Sequence, residues 1–197
     1  MHRTIFTTPG VNTLLRSLSL AYLRATGWTL DGQLPADCPK CVLIAAPHTS
    51  NWDLPYTLAV AFAMKLDIYW MGKQQIFRWP VGPMMRWLGG IAVDRQRSSN
   101  LVSASAQAIR EATGPMCLVV PPEGTRSKTR QWKTGFYWIA QQADVPIVLA
   151  YMDYSTRRSG LGPVFTPTGD VDADMAAIKS FYAPFKGKNA DQFQTQE

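Results

Sequence analysis

Short unbroken apolar runs alternate with longer segments of helical spacing along this chain. CVLIAAP at 41–47 and MCLVV at 116–120 are unbroken, the pattern of strands buried on both faces. IYWMG at 68–72, the interior of GGIAVDR at 89–95 and PIVLAYMDY at 146–154 have the same character. Helices are predicted from near Trp52 to about Met64, over roughly 100–113 and over about 134–143. Ser98 or Ser99 can cap the second of these, and Gly114-Pro115 stops it. GPVFTPTGDV at 162–171 reads as a late strand or hairpin and DADMAAIKSFYAPF at 172–185 as a last helix. The polar tail after Lys186 is expected to fray. Strands alternating with helices predict an α/β fold with a largely parallel central sheet flanked by helices.

VNTLLRSLSLAYLRAT at 11–26 places Leu14, Leu15, Leu18, Tyr22 and Leu23 near helical spacing and is closed by Gly27. The expectation is a single domain over residues 1–197, whose segment 1–30 forms an amphipathic helix. That helix suits packing on the core and lying on a membrane equally well. No apolar run reaches the ~18 residues of a membrane span. LAVAFAM, at 58–64, is closed by Lys65. The N-terminus, polar and broken by Pro9-Gly10, does not read as a secretory signal. A cytoplasmic protein, peripheral on the inner face of the cell membrane, is expected.

Net charge of +6 admits nucleic acid, anionic lipid or phosphorylated small molecules as partners. The cations stand singly within apolar and aromatic sequence and form no Lys/Arg block, so nucleic acid is not expected. Residues 69–89 interleave Trp70, Phe77, Trp79, Met84, Met85 and Trp87 with Lys73, Arg78 and Arg86. Aromatics beside snorkelling cations suit an anionic lipid interface, although Trp and Met also fill cores. Cys38 and Cys41 have C-x-x-C spacing, and Cys117 stands apart. No second half-site supplies four zinc ligands, so reduced thiols are expected and no metal.

Candidate chemistry begins at APHTSNWD, residues 46–53. His48 stands just past a buried strand, where ligands of α/β sheets bind. Five residues of continuous helix would put His48 and Asp53 on different faces, so they meet only through a turn. Thr49, Ser50 and Asn51 form such turns, and Pro55 fits the first turn of a following helix. Asp53 can then orient the imidazole so that its other nitrogen serves as a base. Otherwise Asp53 is a helix-start acid and His48 a satisfied core histidine. In PPEGTRS, 121–127, Gly124 permits a tight turn whose N–H groups, with Arg126, could hold an anion. The plainer reading pairs Glu123 with Arg126 in a surface turn. Asp94-Arg95 stands at another strand end, where an exposed ion pair is the plain alternative.

His48-x4-Asp53, Gly90-Ile91-Ala92-Val93-Asp94-Arg95, Pro122-Glu123-Gly124-Thr125-Arg126-Ser127 and Val145-Pro146-Ile147 resemble the four ordered blocks of the glycerolipid acyltransferases. This family includes lysophosphatidic acid and glycerol-3-phosphate acyltransferases. Lys133 and Gly135 fit its usual continuation after the third block. Pro47 and Pro121 depart from it, where many members have Asn and Phe. The HTSNWD wording resembles a compact bacterial branch.

The resemblance implies transfer of a fatty acyl group from acyl-CoA or acyl carrier protein to a hydroxyl of a lysophospholipid or glycerol phosphate, foremost 1-acylglycerol-3-phosphate. An alcohol is a weak nucleophile at neutral pH, so His48 would act as general base with Asp53 orienting it. By the same analogy Arg95, Glu123, Gly124, Thr125 and Arg126 would hold the acceptor, with the arginines on its phosphate. Lys73 is a further phosphate candidate, and Pro146 is expected to shape the pocket wall. The donor thioester is a substrate, and no cofactor is implied. A serine hydrolase is disfavoured because no G-x-S-x-G elbow is present. A phospholipid–lysophospholipid transacylase would use the same base. A non-catalytic lipid-binding module would keep the basic aromatic surface without needing His48 and Asp53 together.

Overall fold

Successive residues of the 41–46 run face two different apolar layers, which is why the run carries no polar break. Val42 and Ile44 belong to one buried cluster, Cys41 and Leu43 to another. The computed structural model describes residues 3–93, 98–129 and 131–195. In chain order the strands are β1 (Thr29–Asp31), β2 (Lys40–Ala46), β3 (Ile68–Lys73), β4 (Gly90–Val93), β5 (Met116–Val120), β6 (Ile147–Asp153) and β7 (Arg158–Phe165). The helices are α1 (Val11–Ala25), α2 (Asp53–Ala63), α3 (Gly82–Trp87), α4 (Ser98–Glu111), α5 (Gly135–Ala143) and α6 (Val171–Tyr182).

The seven strands form one sheet in the order β1-β7-β6-β2-β5-β3-β4. From β6 to β4 every neighbouring pair is parallel. β7 returns antiparallel beside β6, and β1 runs parallel to β7. The α/β class and the largely parallel sheet therefore hold. Helices cover both faces. Ile109 of α4, Phe136 and Ile139 of α5, and Ile178 and Tyr182 of α6 pack on one side. Phe62 of α2 packs on the other, with Leu15 of α1 at its edge.

Several expectations need correction. The late strand lies at 158–165, earlier than 162–171, because Asp153 caps a tight turn that starts it. Its carboxylate accepts the Ser155 N–H and the Ser155 and Thr156 hydroxyls. β1 and α3 are too short to show a period in the sequence. The tail after Lys186 does not fray at once: Gly187 is buried, and residues 190–192 form a turn of 3-10 helix.

α1 forms as expected, but its apolar residues divide. Leu23 is buried, whereas Leu14 and Leu18 stay exposed. The basic aromatic segment divides too. Phe77 is buried, and the Trp70 and Trp87 indoles donate to Leu88 O and Thr8 Oγ1. Trp79 is 86% exposed, with Ile76, Val81 and Met84 also outward. Among the described residues no helix is long and apolar enough to cross a membrane. Cys38, Cys41 and Cys117 are all buried free thiols in one apolar cluster.

Candidate active site

The parallel strands deliver their carboxyl ends to one edge of the sheet. The chain leaves β2 there through Pro47 and His48, and α2 begins at Asp53. The Ser50 hydroxyl accepts the Trp52 N–H in the intervening turn. Pro55 falls in the first helical turn, where its missing N–H is harmless. The turn folds the chain back so that His48 Nδ1 lies 3.1 Å from Asp53 Oδ2. The same oxygen accepts the Thr49 and Ser50 N–H groups, each at 2.9 Å. The other carboxylate oxygen accepts the Tyr154 hydroxyl at 2.8 Å. Burial works against the Asp53 charge, but the bonds from His48, Ser50 and Tyr154 outweigh it and hold the carboxyl below its usual range. With Nδ1 turned to a carboxylate, the ring can carry its proton there and leave the Nε2 lone pair free to accept one.

Glu123 follows β5, the strand beside β2, and reaches beneath the same turn. Its Oε1 accepts the His48 N–H at 3.0 Å. Its Oε2 is buried with no hydrogen-bond partner. Burial pushes this carboxyl above its ordinary range, against the opposing pull of its own N–H and that of His48. Glu123 therefore does not pair with Arg126. Gly124, Thr125 and Arg126 are exposed just beyond it, and Gly124 takes the left-handed conformation at φ 64°. A Cβ there would lie 2.9 Å from the Lys133 side chain, which arches over the turn. Lys73 ends β3 at the same edge of the sheet and is exposed. Among the described residues neither Lys73 nor Arg126 is in an ion pair. Asp94 and Arg95 lie outside the described residues. Pro146 stands at the amino end of β6, so it does not shape this site. Its carbonyl instead accepts the Val42 N–H.

A narrow cavity of about 50 Å3, open at its mouth, runs from His48 and Asp53 between α2 and the sheet toward Leu66 and Ile68. Thr57, Val60 and Ala61 of α2 form one wall. Ala45 of β2 and Ala150 of β6 stand opposite, side by side in register. Two alanines where larger aliphatics could pack leave the space unfilled. Its lining is mainly apolar, which suits a hydrocarbon chain.

The sequence reading missed the elements that brace this turn. The Asn189 N–H donates to Thr49 Oγ1 at 3.2 Å, and its side-chain amide donates to Thr49 O at 2.8 Å. Gly187 packs so closely that an added Cβ would meet Thr49 Oγ1 at 2.4 Å. The Lys188 ammonium lies 4.7 Å over the Trp52 ring. Tyr154, one residue past β6, occupies a strand-end position like that of His48, and this was its available signal.

A family model described as Acyltransferase matches residues 32–153, more than half of the chain. The chain belongs to the acyltransferase family. No curated relative matches it. Among solved structures, this acyltransferase resembles the 1-acyl-sn-glycerophosphate acyltransferase PlsC from Thermotoga maritima. The two share 14% identity and a TM-score of 0.58, over 90% of this chain and 81% of that one. At that identity the likeness is one of fold. The fold of this acyltransferase is thus the PlsC fold, with its base candidate, buried carboxylates and apolar cavity at one edge of the sheet.

Proposed function

We propose that the protein transfers a fatty acyl group from acyl-CoA or acyl carrier protein to a hydroxyl of a lysophospholipid or glycerol phosphate, foremost 1-acylglycerol-3-phosphate. The observation that carries this reading is the 3.1 Å His48–Asp53 contact at one end of an apolar cavity. His48 Nε2 takes the proton of the acceptor hydroxyl as its oxygen attacks the thioester carbonyl. The tetrahedral intermediate collapses with cleavage of the carbon–sulfur bond. The imidazolium, stabilised by Asp53, returns its proton to the departing sulfur. An ester and a free thiol result. The acyl chain lies in the cavity between α2 and the sheet. Arg126 and Lys73, and Arg95 by the family pattern, take the acceptor phosphate, which a guanidinium grips in bidentate fashion.

Acyl-CoA and a lysophospholipid are both amphiphilic, so the partner surface is a membrane, approached from its cytoplasmic side. Exposed Trp79, Met84, Leu14 and Leu18 support this reading. The deciding experiment measures thiol release from a long-chain acyl-CoA, with and without lysophosphatidic acid, for wild type and His48→Ala. Acceptor-dependent release that disappears in the variant is expected. Release without acceptor would make the protein a thioesterase. Equal acceptor-dependent release by both proteins would sink the role of His48.

A further inference from the structure

Asp53 is held from two directions, one local and one distant in sequence. Its Oδ2 takes His48 and the turn's own N–H groups. Its Oδ1 takes the hydroxyl of Tyr154, which lies one residue beyond the family match. Tyr154 is itself fixed with care. Its ring meets Trp28 edge-on at 5.1 Å and Tyr56 edge-on at 5.9 Å. Its N–H donates to Lys186 O at 2.9 Å, and the Lys186 N–H donates to Asp153 Oδ1 at 3.1 Å. Asn189, three residues after Lys186, then bonds to Thr49, on the turn between His48 and Asp53. The end of β6 and the C-terminal strap thus close a ring around the proton-accepting pair.

From this geometry we infer that Tyr154 is a positioning residue, whose hydroxyl sets both the orientation of the Asp53 carboxylate and how strongly Asp53 draws on the His48 Nδ1 proton. The inference rests on the acyltransferase reading only for its effect on turnover. A carboxylate that accepts a hydroxyl on one oxygen is a weaker base at the other, because the bond withdraws electron density. Without that hydroxyl, Asp53 pulls harder on the ring, and the ring keeps its second proton to higher pH. The carboxylate is also freer to rotate, so Nε2 is less often aimed at the acceptor.

Tyr154→Phe removes one oxygen and keeps the ring that packs on Trp28 and Tyr56. The other titratable groups about the pair stay in place: Glu123 after β5, Tyr56 of α2, Tyr22 of α1 and Lys188 of the strap. Two readouts test the inference. NMR titration of the ring protons follows His48, assigned by its loss in His48→Gln, with His2 as the second histidine. The His48 curve is expected to move to higher pH in Tyr154→Phe and to be insensitive to that substitution in an Asp53→Ala background. Steady-state kinetics are expected to show kcat lower by about tenfold with KM nearly unchanged. An unchanged His48 curve in Tyr154→Phe overturns the inference, including where the variant merely melts lower. If the wild type transfers no acyl group, the proposed function falls while the titration still decides the role of Tyr154.

Discussion

The two halves of the site are built in opposite ways. On the base side, Asp53 and Thr49 are buried, every oxygen of Asp53 is bonded, and two segments distant in sequence brace the turn. On the side proposed for the acceptor, Gly124, Thr125, Arg126 and Lys73 are exposed. On the proposed function, the difference follows from what each half would have to do. A general base works only if its geometry exists before substrate arrives, since reorganisation would add to the barrier. A phosphate brings two charges of its own and can organise flexible cations as it binds.

That contrast predicts where substitutions register. On the base side they reduce turnover. The largest expected effect is His48→Ala, which lowers kcat by about a thousandfold in the thiol-release assay. On the acceptor side they weaken binding. Arg126→Ala is expected to raise KM for the acceptor by about tenfold with kcat near wild type. A fall in kcat alone would place Arg126 in the base half and break the comparison. Val60→Phe fills the cavity wall and leaves both halves intact. It is expected to shift the kcat/KM ratio toward shorter acyl chains by roughly fivefold, read by competition between two acyl-CoA lengths.

The smallest effect sharpens the role of Glu123, which is buried like the base side but unpartnered at one oxygen. Its folded-state carboxyl titrates above the ordinary range because of burial. The folded protein therefore binds that proton more tightly than the unfolded chain. The group costs stability as pH rises past the ordinary carboxylate value, and the cost is complete above its folded value. Glu123→Gln abolishes the titration. It is expected to be more stable than wild type by about 1 kcal/mol at pH 8, with the gain shrinking toward pH 4, in thermal melts. An equal gap at both pH values would show that ionisation is not the cause.

The core of the fold and the contact between His48 and Asp53 were legible in the sequence for one shared reason. β2 and β5 are doubly buried, so they carry unbroken apolar runs, and His48 and Glu123 follow those runs directly. The turn between His48 and Asp53 was legible because Thr49-Ser50-Asn51 and Pro55 are local signals. What was not legible depends on contacts between distant parts of the chain. Tyr154 lies 101 residues from Asp53, and Asn189 lies 140 from Thr49. A polar tail shows no periodicity, so nothing in its own sequence announces that it clasps Thr49. Pro146 misled for the converse reason: its block belongs to the family pattern, yet parallel topology sends it to the opposite end of β6.

α2 carries Asp53 on its first turn and Thr57, Val60 and Ala61 on the next two, all on one rigid rod. On the proposed function, the carboxylate that tunes the base and the wall that would measure the chain are therefore the same mechanical part. A chain too long for the cavity has this helix to push against, and tilting it carries Asp53 away from His48. Selection among donors would then be expressed as a slower step, not as a looser grip. The helix would then work as a gauge whose needle is its own first carboxylate.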